Sequence, residues 1–336
     1  MDVLKQNVGI DVAKDSFVAT LTVLLSGQVL KHLRTKTFKN NRRGFEELIQ
    51  WSSKQSDSTL PLHFTMEATG VYYESLAYYL WELDHIIHVL LPNKAKKFAD
   101  SLNIKSKTDK VDSKILGQMG VERSLFKWSL NSKIYRTLRT LVRERQQVIK
   151  ERTRCKNQLH AEKHSAEPLK STVTRMRNHI KYLDKQVKAI EKDIENTVSK
   201  DQYVAEKVKK ITTVPGLRSV TVITVVAETL GFANISSIKQ LNSYAGYDVQ
   251  IRESGKWKGK SRISKKGNSH IRQAMYMPSL SSITYSQTYR KFYLRLKDKK
   301  QNGLISGTAV QRKLVGLIYT LWKKDEEYIE NYQASV

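Results

Sequence analysis

The fold is decided by a short strand that carries an acid near its end, in the stretch Asn7-Val8-Gly9-Ile10-Asp11-Val12-Ala13-Lys14. The apolar residues alternate at Val8, Ile10 and Val12, which is the spacing of a β-strand with one buried face. Asp11 stands at the end of this predicted strand. An acid at the edge of a sheet is the first candidate for a functional residue.

Outward from this strand, the chain alternates between strand-like and helix-like patterns. The predicted order is three strands, a helix, a strand, a helix and a strand, over residues 7–12, 16–25, 29–38, 41–53, 62–66, 73–83 and 86–91. Gly27 and Gln28 mark a hairpin turn, and Pro92 ends the last strand. This order predicts an α/β layer with a mixed sheet in which the first strand is central.

The composition of the 336 residues favours a folded protein that binds a polyanion. The net charge is +27 and 40% of the residues are hydrophobic, which excludes a fully disordered basic tail. The single cysteine, Cys155, excludes a disulfide framework and a multi-cysteine zinc site. The lack of a long apolar run or apolar leader predicts a cytoplasmic, nucleoid-associated protein without a membrane partner. Nucleic acid is the expected partner; a membrane surface is the weaker alternative, because the basic residues do not line one helix face.

A long region without glycine follows, between residues 121 and 215. From Leu169 to Ile194 apolar residues recur in steps of four and three, the spacing of a coiled-coil seam. The members of this seam are Leu169, Val173, Met176, Ile180, Leu183, Val187, Ile190 and Ile194. Residues 134–159 keep the same phase, so two long helices are expected to meet near residues 164–168. The seam fits an intramolecular antiparallel hairpin or dimerisation, and the heptads alone do not separate the two.

Four acidic residues stand at the ends of predicted elements. Asp11 and Glu67 end the first and fourth strands, and Asp109 and Asp112 lie three residues apart at a predicted helix start. If the first strand is central, the first and fourth strands end beside each other, and the helix can add two carboxylates. Such oxygen ligands suit Mg²⁺ or Mn²⁺ and phosphodiester chemistry. The alternative is that these acids are turn or cap residues, with the helix pair offsetting the helix dipole.

Three motifs carry a resemblance to a known family. They are Gly9-Ile10-Asp11-Val12-Ala13-Lys14, Met66-Glu67-Ala68-Thr69-Gly70-Val71-Tyr72 and Lys107-Thr108-Asp109-Lys110-Val111-Asp112-Ser113. Together they resemble the DEDD transposases of bacterial insertion sequences, and the resemblance extends over nearly the whole chain. It implies a RuvC-like nuclease domain, related to ribonuclease H, at the N-terminus. The four metal-binding carboxylates that it implies are Asp11, Glu67, Asp109 and Asp112.

The expected fold class is α/β plus α. It combines a RuvC-like mixed-sheet domain, long coiled-coil helices and a mainly helical C-terminal domain. The predicted boundaries are 1–130 for the nuclease domain, 131–203 for the coiled-coil helices and 204–336 for the C-terminal transposase domain. The resemblance also implies dimers that pair into tetramers.

The segment 252–272 is strongly basic, with eight Lys or Arg residues and one acid, Glu253. Its glycines let the backbone approach a phosphate, and Trp257 can stack on a base or a sugar. The residues predicted to contact nucleic acid are Arg252, Lys256, Trp257, Lys258, Lys260, Arg262, Lys265, Lys266 and Arg272. A solvated basic loop is the alternative.

Ser254 lies within this basic segment. A serine hydroxyl is a weak nucleophile without an activating group, and no Ser-His-Asp spacing is visible. The family carries a nucleophilic serine in a segment that matches Glu253-Ser254-Gly255. The resemblance therefore implies that Ser254 attacks a DNA phosphodiester and forms a covalent phosphoserine link.

The resulting prediction is a DNA transposase or recombinase of an insertion sequence, which cuts and rejoins double-stranded DNA. The resemblance also implies a structured bridge RNA that guides the protein to donor and target DNA. Two enzymatic alternatives stay open: a site-specific DNA invertase of the same architecture, and a RuvC-like junction nuclease without covalent catalysis. The third alternative is a nucleic-acid-binding protein that is not an enzyme.

Overall fold

The computed structural model describes residues 2–104, 106–130, 132–251, 253–255, 257–259 and 262–329, with only the backbone of Lys258. The chain forms two compact units, Met1–Leu130 and Asn131–Val336. Over the described ranges, no helix combines the length and the hydropathy needed to cross a bilayer.

The first unit is built on a five-stranded mixed sheet. Its strands are β1 (Val3–Val12), β2 (Ser16–Leu25), β3 (Val29–Lys39), β4 (Leu62–Glu67) and β5 (Ile86–Leu90). They lie in the order β3-β2-β1-β4-β5, with β1 antiparallel to β2 and parallel to β4. The prediction of a mixed sheet with a central first strand is therefore confirmed.

The first strand begins four residues earlier than the sequence pattern indicates. Gln6 breaks the apolar alternation, yet its side chain is buried. Its amide nitrogen donates to the carbonyls of Asp57 and Leu60 at 2.7 and 2.8 Å. A buried polar side chain whose partners are distant in sequence cannot be recognised from periodicity, so the predicted start of the strand is too late.

Four helices accompany the sheet. They are α1 (Arg42–Ser53), α2 (Glu74–Glu82), α3 (Pro92–Ser101) and α4 (Asp109–Glu122). Asn41 caps α1 by accepting a hydrogen bond from the Gly44 amide. Pro92 ends the preceding strand as predicted, and it also occupies the first turn of α3, where a missing N–H costs nothing.

Helix α4 packs closely on the centre of the sheet. A side chain at Gly9 of β1 would lie only 2.1 Å from the Gly117 amide nitrogen of α4, so the two backbones touch. The hydroxyls of Thr20 and Ser113 form a buried hydrogen bond of 2.7 Å across the same contact. This close approach holds the first turn of α4 beside the end of β1.

The second unit is mainly helical. Its helices are α5 (Lys133–Lys163), α6 (Lys170–Ser199), α7 (Gln202–Ile211), α8 (Ser219–Glu228), α9 (Ile238–Ala245), α10 (Ser269–Tyr285), α11 (Gln287–Lys300) and α12 (Gly303–Lys324). Among the described residues between α9 and α10 there are four short strands. They are β6 (Val249–Gln250), β7 (Glu253–Ser254), β8 (Trp257–Lys258) and β9 (Arg262–Ile263), with β6 paired to β9 and β7 to β8.

Helices α5 and α6 form an antiparallel hairpin. Ion pairs cross it at Arg145–Glu191, 2.6 Å, and at Arg152–Asp184, 2.8 Å. At the base of the hairpin, Leu138 and Ile194 are buried in the same core as the helices from α7 onward. The segments predicted as 131–203 and 204–336 therefore pack as one unit, because the apolar seam continues into the C-terminal core.

Candidate functional site

The acids at the ends of β1 and β4 lie side by side. The parallel pairing of these strands matches Ile10 with Met66, and Asp11 and Glu67 are the residues that follow. In the first unit, the sequence correctly predicts that these strand ends are neighbours. Thr69 fixes the second carboxylate by donating its hydroxyl to Glu67 Oε1 at 2.7 Å.

The other two acids come from the first turn of α4. Thr108 caps this helix by accepting a hydrogen bond from the Val111 amide, so the helix begins at Asp109. Asp109 is exposed and Asp112 is half-buried. Because α4 is pressed against β1, its first turn adds two carboxylates to the pair on the sheet.

The charges of these four residues act on one another. Burial and the charges of Asp112, Asp109 and Glu67 together raise the pKa of Asp11 to about 6, against an opposing effect of Lys107. Burial, with the charges of Glu67 and Asp109, also raises the pKa of Asp112, against an opposing effect of Lys107. Like charges that raise each other's pKa lie close together in a site with too little positive charge to balance them. We call Asp11, Glu67, Asp109 and Asp112 the acidic cluster.

The chemistry of the acidic cluster fits a hard divalent cation. Its donors are carboxylate oxygens, the ligands that Mg²⁺ and Mn²⁺ prefer, and a cation would relieve their mutual repulsion. Within the described part of the chain, however, no three His, Cys, Asp or Glu side chains are already arranged to hold a metal ion. The residues are thus gathered in one place without a finished coordination shell.

Ser254 lies on a small exposed hairpin in the second unit. It pairs with Trp257 between β7 and β8, and Gly255 makes the turn in the left-handed region at a φ of 56°. Trp257 is 60% exposed, as expected of a residue available for stacking. For the residues that the structure describes, no hydrogen bond joins the Ser254 hydroxyl to a general base.

The predicted nucleic-acid contacts have different surroundings. Arg262, Lys265 and Lys266 are exposed, as a phosphate-binding residue must be. Arg272 is half-buried and donates from Nη1 to the Ala245 carbonyl at 2.7 Å, which gives it a structural contact. Three of the predicted contacts, and the side chain of a fourth, lie outside the described residues: Arg252, Lys256, Lys260 and Lys258.

Two parts of the chain match sequence models of known families. A sequence model of DEDD-type transposases, described as a transposase of the IS110 type, matches residues 8–162. A second model, described as the transposase IS116/IS110/IS902 family, matches residues 208–294. Two separate parts of the chain are therefore similar to IS110-type transposases. The first match contains the whole acidic cluster, and the second contains Ser254 and its basic segment.

The chain is also similar to individual proteins. The pilin gene-inverting proteins of Moraxella bovis and Moraxella lacunata are each 27% identical over 331 residues, covering 96% of this chain and 98% of the relative. The transposase for insertion sequence element IS1328 of Yersinia enterocolitica is 23% identical over 228 residues, covering 60% of this chain and 65% of that protein.

Among solved structures, T. thermophilus RuvC in complex with Holliday junction substrate aligns with 34% of this chain and 90% of its own. Its sequence identity is 8% and its TM-score is 0.27. A TM-score this low does not establish a shared fold, so the RuvC-like character of the first unit remains a prediction.

Sequence reasoning missed a buried acid in the second unit. The Glu228 side chain is fully buried at the end of α8 and accepts from Arg143 Nε at 2.6 Å and from Nη2 at 2.8 Å. Burial opposes ionisation, but hydrogen bonds from Arg143 and Asn268 and the charges of Arg143 and Arg139 outweigh it, so the pKa of Glu228 is lowered. The available signal was one acid within an apolar run, residues 220–230.

A basic groove between α11 and α12 was also missed. It has a volume of about 350 Å³ and is lined by Gln287, Thr288, Lys291, Phe292, Arg295 and Lys313. Lys313 Nζ lies 4.2 Å from the centre of the Phe292 ring, and the Arg295 guanidinium lies 5.6 Å from it. The available signal was the density of Lys and Arg over residues 287–300, a segment for which no helix was predicted.

Proposed function

We propose that this chain is a DNA recombinase of the insertion-sequence type, which cuts and rejoins DNA through a covalent serine intermediate. The observation that supports it best is the convergence of four carboxylates, from two strands and one helix, inside a matched transposase domain. A protein with net charge +27 has little other use for an uncompensated group of acids.

In this proposal the acidic cluster holds Mg²⁺ or Mn²⁺. When bound, the cation supplies positive charge to the phosphate oxygens that become more negative during strand cleavage. The residues themselves have separate tasks. Glu67, oriented by Thr69, and Asp11 hold fixed positions at the sheet edge, while the α4 pair closes the site from the other side.

Ser254 is the proposed nucleophile. Its oxygen forms a bond to a backbone phosphorus, and the bond from that phosphorus to one deoxyribose oxygen breaks. The serine loses its proton and the released strand end gains one, so the phosphodiester is exchanged and not hydrolysed. The hydroxyl of another strand can then reverse the step and rejoin the DNA. Because the acids and Ser254 belong to different units, the meeting of the two halves, within one chain or across a dimer or tetramer, is part of the proposal.

The basic surfaces are the proposed binding sites for the DNA backbone and for a guide RNA. Positive charge is carried by the exposed side chains of Arg262, Lys265 and Lys266. In the groove it is carried by Lys291, Arg295 and Lys313, and no acid is among the groove-lining side chains. Backbone contacts of this kind bind without reading sequence. A guide that pairs with DNA would then supply the target choice, because pairing, and not the protein, reads the bases.

A plasmid assay tests the proposal. The gene with its native flanking DNA is expressed in bacteria, and new DNA junctions are counted by sequencing. We expect insertion junctions with the wild type and none with Ser254→Ala or Asp11→Asn. Junctions that persist in both variants would overturn the proposal, and cleavage that survives Ser254→Ala alone would favour the hydrolytic nuclease.

Site-specific inversion is the second candidate. It is favoured by the two Moraxella gene-inverting relatives, which match over 96% of this chain. The same sequencing separates the candidates, because an invertase yields flipped segments at fixed sites while a transposase yields junctions at new ones. RNA that copurifies with the protein is sequenced in parallel. One discrete noncoding RNA from the flanking DNA supports the guide, and random cellular RNA contradicts it.

A further inference from the structure

We propose that Glu228 is a positioning residue that fastens the serine-bearing segment, residues 246–268, to the α5–α6 hairpin. The inference rests on the proposed role of Ser254, which gives the position of this segment its importance. The segment contains β6 to β9 and the turn at Gly255. Its position depends on how its two ends are held.

Both ends of the segment bind Glu228. Before it, the Tyr244 hydroxyl donates to the Glu228 main-chain carbonyl at 2.8 Å. At its last residue, Asn268 Nδ2 donates to Glu228 Oε2 at 2.6 Å. The Asn268 amide also donates to the Tyr244 carbonyl at 2.7 Å, which brings the two ends together. One residue of α8 therefore anchors the entry and the exit of the segment.

The same carboxylate binds the hairpin. Arg143 of α5 approaches it with two nitrogens, and Arg139, one turn earlier, lies 3.7 Å from Oε2. A two-pronged arginine–carboxylate pair fixes orientation as well as distance. One turn later on α5, the Gln146 amide nitrogen donates to the His270 carbonyl in the first turn of α10. The hairpin thus contacts the end of the segment at two successive turns.

A role in stability alone does not account for this arrangement. Apolar side chains of similar volume usually stabilise a core as well as a buried ion pair does, so such pairs are a poor device for stability. The Glu228 carboxylate instead joins three elements through directional contacts: α5, α8 and the start of α10. A shift of the hairpin would therefore be transmitted to the segment that carries Ser254.

Hydrogen exchange of the full-length protein tests this link. The main variant is Arg143→Lys, which keeps the charge but cannot form the two-pronged pair. The control is Arg145→Ala, which removes an equally short ion pair, to Glu191, from the same helix but does not touch the segment. We expect exchange at the Lys265 and Asn268 amides to rise about tenfold in Arg143→Lys and to stay at the wild-type rate in Arg145→Ala. Equal rates in the two variants would overturn the proposal.

A second variant addresses the exit of the segment. Asn268 caps α10 by accepting from the His270 and Ile271 amides at 2.9 and 3.1 Å. Asn268→Ser keeps a capping oxygen while removing the amide that reaches Glu228. We expect faster exchange in the segment together with unchanged exchange in the middle of α10. If the whole of α10 exchanges faster, the residue acts only as a cap and the proposal fails.

An activity measurement separates this inference from the proposed function. With DNA from the native flanks, both variants are expected to bind with wild-type affinity and to form recombinant junctions more slowly, by about tenfold. If Ser254→Ala is active while hydrogen exchange changes as expected, the positioning role of Glu228 is supported and the serine nucleophile is contradicted. If hydrogen exchange is unchanged but Ser254→Ala is inactive, the serine nucleophile is supported and the positioning role of Glu228 is contradicted.

Discussion

Asp11 and Glu228 are both shielded carboxylates, and the protein treats them in opposite ways. Around Asp11, burial and three neighbouring acids raise the pKa to about 6. Around Glu228, Arg143, Arg139 and Asn268 supply positive charge and hydrogen bonds, and the pKa falls below its ordinary value despite complete burial of the side chain. The protein therefore supplies Glu228 with positive charge and hydrogen-bond donors, whereas the acidic cluster has too little positive charge to balance it.

The difference separates a ligand site from a structural one. A compensated acid is already satisfied by the protein, whereas an uncompensated cluster costs stability and is satisfied by something that binds. Four predictions test this difference.

The largest effect is expected for the loss of one carboxylate from the acidic cluster. Asp11→Asn keeps the shape of the side chain and removes its charge, so recombination should fall by about 10³-fold or more. The count of new junctions in the plasmid assay measures this. The control is Asp15→Asn, because Asp15 is exposed and does not contribute to the raised pKa of Asp11. An equal loss in both variants would contradict a special role for Asp11.

The next effect concerns stability, and its sign differs between the two sites. Glu228→Gln leaves two arginines without their anion, so the free energy of unfolding at pH 7 should fall by about 2–4 kcal/mol, less than for fully buried pairs because the arginines are partly exposed. Asp11→Asn removes a repulsive charge and should not lower it. Urea denaturation, followed for each unit, measures both. A fall of similar size for Asp11→Asn would remove the contrast.

A smaller effect is expected at the basic groove. Changing Lys291, Arg295 and Lys313 to alanine together should flatten the plot of log affinity against log salt by about 0.9 for each phosphate that the variant no longer neutralises. The matched control removes three cations that already have acidic partners: Arg42, Arg43 and Lys210, paired with Glu46, Glu47 and Asp325. Both triple variants lose the same charge. An equal change of slope would mean that net charge, and not the groove, binds the DNA.

The smallest effect is a pH dependence. Since the folded-state pKa of Glu228 lies below its unfolded value, its contribution to stability is present above about pH 4.3 and is lost as the pH falls through the folded-state value. The difference in unfolding free energy between wild type and Glu228→Gln should therefore shrink steadily below about pH 4. A difference that stays constant down to the acid transition would show that Arg143 and Arg139 do not depend on an ionised partner.

Part of the fold and of the acidic cluster could be predicted from the sequence. The strand periodicity around Val8 and Ile10 was sufficient to predict the central strand, and with it the neighbouring positions of Asp11 and Glu67. The seam from Leu183 to Ile194 likewise predicted two long paired helices, and the structure shows them as a hairpin. These features depend on apolar patterns repeated over a few residues, and such patterns can be recognised in a single sequence.

What escaped prediction depends on distant partners. Glu228 binds Arg143, which is 85 residues away, and no local sequence pattern indicates such an ion pair. The close backbone contact between Gly9 and Gly117, which brings α4 to the sheet, is equally invisible in one sequence. Helix α11 was missed because its many lysines and arginines obscure the apolar face formed by Tyr289 and Phe292.

The central claim is that the acidic cluster and Ser254 serve one reaction on DNA. The most direct measurement incubates the purified protein with DNA from its native flanks and Mg²⁺, denatures the mixture, and maps any nucleotide-bearing peptide by mass spectrometry. The account predicts a nucleotide phosphate attached to Ser254 in the wild type and none in Asp11→Asn. Strand cleavage at the wild-type rate by Ser254→Ala, or a nucleotide attached to another residue, would contradict it.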